Sequence, residues 1–187
     1  MRPSKCFFEQ PVDEVARALI GAVLLVNGVG GRIVETESYD ADDPASHAYQ
    51  MRRTARNATM LGPPARAYVY RSYGIHWCLN FVCEPGSAVL IRALEPLAGI
   101  EAMRRRRGTM KDSLLCAGPG RLCEALGIDR RQDGASLLRK PFALSLSEGE
   151  RAILVGPRIG LTKAAERRRR FGEKGSLFLS RRFVEPS

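Results

Sequence analysis

"AVLLVNGVGGRIVETESY", residues 22–39, is the stretch of the chain that decides the fold. Aliphatic and β-branched residues on both sides of a glycine-rich centre predict a strand, a tight turn and a second strand, with Gly28, Gly30 and Gly31 marking the turn. A glycine-rich loop that cradles a nucleotide would need a helix directly after it. An alternating strand follows instead, so this stretch predicts a β-hairpin and not a nucleotide-binding motif.

The segments on either side of this hairpin add one helix and a second strand block. Apolar residues at helical spacing predict a helix over residues 12–21. Residues 40–64 read as a loop. Residues 67–95 read as three further strands, and the first two of them meet in a tight, protruding turn at Tyr73 and Gly74.

The second half of the chain mixes helices with short strands. Pro96 is expected to open a helix that Gly108 closes, and a second short helix is expected over residues 120–127. Short strands are expected at residues 142–147, 151–156 and 177–180. Because strands and helices come in separate blocks, the sequence predicts one α+β domain over residues 1–187 with a mostly antiparallel sheet.

The charge of the chain indicates an anionic partner. The 187 residues carry a formal net charge of +10, and the isoelectric point is near 9.9. Arginine runs occupy residues 104–107, 130–131 and 167–170, and arginine suits bidentate phosphate contacts. Each run could equally be a solvated helix face or terminus, so a polyanion is the first partner to test and not a conclusion.

Features of membrane, secreted and cofactor-dependent proteins are missing from the sequence. No apolar run approaches the ~18 residues that a membrane-spanning helix needs, and the first residues lack a secretion cleavage site. The five cysteines have no C-x-x-C spacing, as expected for reduced thiols in the cytoplasm. The two histidines, His47 and His76, cannot form a zinc site alone, and P-loop, zinc-deaminase and α/β-hydrolase motifs are lacking. We therefore expect no metal, no cofactor and no membrane partner.

Two carboxylates share one face of the second strand. Strand alternation places Glu35 and Glu37 beside Ile33 and Tyr39. This pattern alone favours ion pairs with arginine on a solvated face.

Aromatic residues in the next hairpin favour a chemical role. Tyr68 and Tyr70 share a strand face, while Tyr73 and Trp77 flank the turn. Each is more typical of core or surface packing when taken alone. Together with a basic surface they resemble a platform for stacking bases. A carboxylate at the bottom of such a platform could deliver water to a sugar carbon, which is glycosidic chemistry.

Several motifs in order then resemble one family. "RIVETESY", "SHAY", "RNATML", "AYVYRSYGIHWCLN", "VLIRALEPLAGIEAMRRRR", "LCAGPGRLCEALGID" and "PRIGLTKAAE" are similar to the alkyladenine (3-methyladenine) DNA glycosylases, over about residues 19–171. The resemblance implies a bacterial member with a curved sheet, surrounding helices and a protruding hairpin that enters the DNA minor groove. It also implies a monomer located in the cytoplasm with the nucleoid.

The resemblance implies a role for three polar residues. Glu37 matches the general base that activates the water attacking C1′ of the sugar. Arg92 matches the arginine that helps to hold that water and the carboxylate. Asn80 matches the residue that disfavours guanine by clashing with its 2-amino group.

It also implies how a damaged base is held. Tyr39, His47 and Tyr70 match the pocket walls that sandwich the flipped base, and His47 is expected to hydrogen-bond near the damaged nucleotide. Tyr73 matches the hairpin tip that wedges into the minor groove. An alkylated adenine is cationic, so stacking on tyrosine would add a cation–π attraction of ~1–2 kcal/mol.

The remaining acids are assigned to structure. Glu35 is expected to pair with a nearby cation, so that turnover depends on Glu37 and not on Glu35. Asp40, Asp42 and Asp43 are interpreted as loop and cap acids. No lysine matches a pocket position, so a backbone-cutting Schiff-base route is not expected.

The implied function is hydrolysis of the N-glycosidic bond of alkylated or deaminated purines in double-stranded DNA, leaving an abasic site. Two alternatives stay open. The chain could be a non-catalytic nucleic-acid-binding module, as in the related fold of the formyltransferase C-terminal domain. It could also bind damaged DNA without turnover. A glycosidase of neutral polysaccharide fits poorly because the basic charge would serve no purpose.

Overall fold

The computed structural model describes residues 1–183 and contains eight strands and five α-helices in that range. The strands are β1 (Val23–Val26), β2 (Val29–Tyr39), β3 (Ala67–Ser72), β4 (His76–Val82), β5 (Ala88–Ala98), β6 (Phe142–Ser145), β7 (Ile153–Gly156) and β8 (Arg170–Glu173). The helices are α1 (Lys5–Phe8), α2 (Val12–Ala18), α3 (Ile100–Arg107), α4 (Asp112–Leu115) and α5 (Pro119–Leu126). Single 3₁₀ turns lie at Tyr49–Met51 and Arg130–Gln132.

The predicted hairpin of residues 22–39 forms the middle of the sheet. Its strands β1 and β2 pair around Asn27 and Gly28, which both have positive φ. Two consecutive residues in that conformation are typical of the tight turn whose twist matches its flanking strands. A Cβ atom at Gly30 or Gly31 would lie 1.9 Å from a carbonyl oxygen of a neighbouring strand. Glycine at these two positions therefore lets the strands on both sides approach β2.

The sheet is curled, and its described strand pairs are all antiparallel. The strand order is β3–β4–β5–β2–β1–β6, with β8 pairing with both β2 and β7. β2 is long enough to pair with β5 along one edge and with β1 and then β8 along the other. Its central residues, 33–38, are all buried. The α+β prediction with an antiparallel sheet is confirmed, and the solvated face suggested for Glu35 and Glu37 is wrong.

The helices cover the sheet and close the hydrophobic core. The apolar stripe predicted before the hairpin is confirmed, because Val12, Val15 and Ala16 of α2 are buried against the sheet. On the same core, α5 packs against β4 and β5 through Leu122 and Leu126. Burying such side chains is worth roughly 1.5–3 kcal/mol each. This packing holds the sheet in a fixed shape behind the site described below.

Two local predictions are wrong. Pro96 does not open a helix, because it lies inside β5 opposite Gly31, where the β2–β5 register is irregular. Proline is tolerated at such irregularities since its missing N–H removes no regular ladder bond. The helix begins instead at Ile100, after Gly99 in a left-handed conformation. Residues 177–180 form no strand and run as an irregular segment.

Candidate active site

Glu37 lies two residues before the end of β2, and its side chain is fully buried among polar partners. Its Oε1 atom is 3.2 Å from Nη1 of Arg92 and accepts a hydrogen bond of 2.9 Å from the backbone N–H of Ile159. The hydroxyl of Tyr39 donates to Oε2 at 2.7 Å. A carboxylate has about four acceptor positions. Two hydrogen bonds and the Arg92 ion pair therefore account for three positions, and the fourth, on Oε2, has no partner among residues 1–183 although the side chain is fully buried.

Arg92, on β5, joins the two buried carboxylates. Its Nε donates to Oε1 of Glu35 at 2.8 Å, while Nη1 faces Glu37. Burial alone would lower the pKa of Arg92, but the negative charges of Glu37 and Glu35 raise it above its ordinary value. Arg92 is therefore a permanent positive charge beside Glu37.

A cavity of about 840 Å³ opens in front of Glu37. This volume lies within the range of ligand pockets. Every candidate site residue from the sequence analysis lines it, as follows: Glu37, Tyr39, His47, Tyr70, Tyr73, Asn80 and Arg92. The fold thus brings together residues that are up to 55 positions apart in the chain, and it leaves the roles implied by the resemblance as proposals.

Three aromatic rings form one wall of the cavity. The rings of His47 and Tyr70 meet edge to face with centroids 4.5 Å apart, and Tyr68 lies 5.3 Å from Tyr70. Nδ1 of His47 is 2.8 Å from the hydroxyl of Tyr68, which fixes the orientation of the imidazole. Such edge-to-face contacts are favourable geometries for aromatic pairs.

His47 is exposed to the cavity but enclosed by its walls. Desolvation first, and the positive charge of Arg56 second, lower the pKa of His47 to about 4. The imidazole is therefore neutral near neutral pH and can both donate and accept a hydrogen bond.

We expect an NMR titration of the His47 ring to show a midpoint near 4, well below the ordinary 6.5. The unfolded chain takes up this proton more readily, so the stability contribution of His47 should decrease as the pH falls from 6.5 towards 4. Arg56→Gln should move the midpoint upward, and His47→Gln assigns the resonance. A midpoint at or above the ordinary value would contradict the enclosed environment.

Tyr39, across the cavity, is held by an ion pair that the sequence analysis missed. The guanidinium of Arg158 lies 4.6 Å from the Tyr39 ring centroid and forms a fully buried pair with Asp43. Burial alone would raise the pKa of Asp43, but hydrogen bonds from Arg158 and from the Ala45 N–H hold it below its ordinary value. The interpretation of Asp43 as a loop acid is confirmed by its bond to Ala45. Arg158 stood within the motif "PRIGLTKAAE", but no local pattern distinguished it.

Asn80 and the hairpin tip complete the cavity. The Asn80 side chain is buried and donates to the carbonyl of Tyr68 at 3.1 Å, which fixes its carboxamide. Tyr73 has positive φ, and its ring is 86 % exposed at the β3–β4 turn beside Ile75, which is 68 % exposed. The predicted protruding turn is confirmed. Apolar side chains this exposed are typical of contact surfaces.

Most of the arginine runs bind other parts of the protein. Examples are Arg104 to Asp112, Arg106 to the Ala125 carbonyl, Arg107 to the Leu115 carbonyl, Arg131 to Asp129, Arg168 to the Val155 carbonyl, Arg169 to Asp40 and Arg170 to Glu35. Three other arginines, Arg56, Arg121 and Arg181, line the cavity. The positive charge next to the cavity therefore comes from single arginines on separate parts of the chain, Arg121 among them on α5, and not from the runs.

Two further features are absent from the described residues, 1–183. In that range, no group of three or more His, Cys, Asp or Glu side chains could hold a metal ion. None of the helices in the same range has the length and apolar character needed to cross a membrane.

Comparison with known proteins identifies a family. The model described as "Methylpurine-DNA glycosylase (MPG)" matches residues 6–177. The chain is 58 % identical to a protein of Nitrosospira multiformis, with 99 % of this chain and 96 % of that protein covered. For a protein of Agrobacterium fabrum the identity is 56 %, with 95 % and 91 % covered, and for one of Rhodopseudomonas palustris (strain HaA2) it is 59 %, with 93 % and 88 % covered. All three are named "Putative 3-methyladenine DNA glycosylase". With nearly its full length matched, the chain belongs to the methylpurine-DNA glycosylase family.

Proposed function

We propose that the protein is a monofunctional DNA glycosylase of base excision repair. It flips an alkylated or deaminated purine out of duplex DNA and hydrolyses the N-glycosidic bond, leaving an abasic site. The observation that carries the proposal is the Glu37 carboxylate, held by Arg92 at a cavity with aromatic walls, with one acceptor position left for water.

The hydrolytic step assigned to Glu37 is balanced by a single water molecule. The water oxygen bonds to C1′ while the C1′–N bond breaks, and the electron pair of that bond leaves with the base. Glu37 accepts the proton of the water, and its negative charge stabilises the oxocarbenium-like sugar before attack. A cationic alkylated base leaves as a neutral molecule and needs no acid, whereas a neutral deaminated base leaves as an anion and takes its proton from solvent.

The aromatic walls supply the binding of the flipped base. Stacking on aromatic rings is worth about 1–3 kcal/mol per base, and the cavity offers Tyr39 together with the pair formed by His47 and Tyr70. A cationic base gains a further cation–π attraction that normal purines lack. Asn80, whose carboxamide is fixed by Tyr68, is the residue to which we assign discrimination against guanine.

The β3–β4 hairpin and the rim arginines act on the duplex. Tyr73, exposed at the turn, is proposed to enter the minor groove and fill the space that the flipped base vacates, which offsets an unstacking cost of a few kcal/mol. Arg56, Arg121 and Arg181, which line the cavity, are proposed to contact phosphates, which would give affinity without reading sequence.

Incubation with methylated duplex DNA in the presence of EDTA, followed by chromatography of the free bases, tests the proposal. Release of 3-methyladenine with intact DNA strands is the expected result. Tight binding without release would favour a non-catalytic binder of damaged DNA, and strand cleavage at the site would contradict monofunctional hydrolysis. Release that stops in EDTA would contradict the metal-free route.

A further inference from the structure

Glu35 takes no part in the proposed hydrolysis, yet it is the most heavily bonded carboxylate of the site. Its side chain is fully buried, and Oε1 accepts hydrogen bonds from Nε of Arg92 and Nε of Arg170, both at 2.8 Å. Burial alone would raise the pKa of Glu35, but these two positive charges and Ser180 hold it below its ordinary value. Two acids and two arginines therefore balance in charge: Glu35, Glu37, Arg92 and Arg170.

The remaining partner of Glu35 comes from residues 177–183, called here the C-terminal segment. The Ser180 backbone N–H donates to Oε2 of Glu35 at 2.6 Å, and its hydroxyl donates to Oε1 at 2.7 Å. Nη2 of Arg92 is 3.2 Å from the same hydroxyl oxygen. The segment is anchored next to this contact, since Arg170 donates to the Arg181 carbonyl and lies 3.9 Å from the Phe183 ring centroid. Ser180 lies beyond residue 177, where the family match ends.

These contacts fix the partner of each nitrogen atom of the Arg92 guanidinium. Nε is held by Glu35 and Nη2 by Ser180, so that only Nη1 reaches Glu37. Arginine readily forms a bidentate pair with a carboxylate when both Nη groups are free. A bidentate Arg92 would occupy the last acceptor position on Glu37, the one proposed for the water.

We propose that Glu35 and Ser180 are positioning residues that restrain Arg92 to a single contact with Glu37 and so keep one carboxylate position open for the attacking water. This inference rests on the proposed function. It also replaces the expectation that turnover is independent of Glu35, because the cation that Glu35 binds is the one that Glu37 uses.

The test compares variants of Ser180 with a variant of Ser176, a serine just before the C-terminal segment. Ser180→Ala removes the hydroxyl, Ser180→Thr retains it, and Ser176→Ala makes the same change at a serine whose hydroxyl accepts from the Phe178 N–H. Release of 3-methyladenine from methylated duplex DNA is measured with enzyme in excess. Affinity for duplex DNA containing an abasic site is measured in parallel, since this affinity does not depend on the water.

We expect Ser180→Ala to slow base release about tenfold while abasic-site affinity changes less than about twofold, as suits the loss of one hydrogen bond to charged groups. Ser180→Thr should recover most of the rate, and Ser176→Ala should match the unmodified protein. Glu35→Gln should slow base release more than Ser180→Ala does, by about 100-fold relative to the unmodified protein.

Three results would overturn the inference. The first is an unchanged rate in both Ser180→Ala and Glu35→Gln while the unmodified protein releases base, which leaves the proposed function intact. The second is a Ser180→Ala rate loss matched by an equal loss of abasic-site affinity, because the segment would then only stabilise the fold. The third is an absence of release by the unmodified protein, which removes the proposed function as well.

Discussion

Replacing Glu37 by glutamine should lower the single-turnover release of 3-methyladenine by about 10³-fold, within the range for loss of a general base. Glutamine has nearly the same size and can still accept from Arg92 and from the Ile159 N–H. It can neither take a proton from water nor offset positive charge on the sugar. The fold and the cavity should therefore persist while the chemical step fails.

The matched control is Glu84→Gln, which makes the same change at an exposed carboxylate between β4 and β5. Its release rate should equal that of the unmodified protein. Glu37→Gln should also bind abasic-site DNA with nearly unchanged affinity, which separates chemistry from recognition. If Glu37→Gln kept more than about a tenth of the rate, a general-base role would be wrong.

Replacing Arg158 by methionine should destabilise the protein by about 3 kcal/mol at neutral pH. Both side chains of the Arg158–Asp43 pair are fully buried, so the substitution removes the nearest cation and leaves the carboxylate with the more distant Arg169 (3.7 Å) and Arg167. It also removes the cation that lies on the Tyr39 ring. Base binding should weaken together with stability, because the Tyr39 wall loses its support.

Urea denaturation measures the loss, with Arg105→Met as a control on an exposed face of α3. The pKa of Asp43 is depressed in the folded protein, so the contribution of the pair is present above its unfolded value near 3.8 and is lost as the pH falls through the folded value. The difference between Arg158→Met and the unmodified protein should therefore narrow in acid. A constant difference across pH would show that Asp43 is not the group involved.

The parts of the fold that were predictable from sequence depend on local rules. Asn27 and Gly28, and likewise Tyr73 and Gly74, adopt the positive φ values that a tight hairpin turn demands. Strand alternation predicted the central strands, and the helical spacing of apolar residues predicted α2. Pro96 was misassigned because its place at a register irregularity depends on Gly31, a partner 65 positions away.

The candidate site likewise contains residues that local rules predict and residues that they do not. The strand residues that line the cavity were predicted from strand alternation and from ordered motifs that resemble a family. Arg158 and Ser180 were missed because they act through partners 115 and 145 positions away, and neither has neighbours that form a pattern. Burial of Glu35 was also unpredictable. The side chain is enclosed because β8 pairs with β2 and because the C-terminal segment binds the carboxylate, and both contacts come from residues far along the chain.

β2, which carries Glu37, is hydrogen-bonded to β5 and β8 along both edges at that residue. The residues proposed to recognise the base come mainly from elsewhere, with His47 on the loop at residues 40–64 and with Tyr70 and Asn80 on the β3–β4 hairpin. Sequence changes in those peripheral parts can alter which bases fit the cavity while the carboxylate proposed for hydrolysis keeps its place. The architecture therefore allows substrate preference to diverge between relatives while the proposed reaction stays the same.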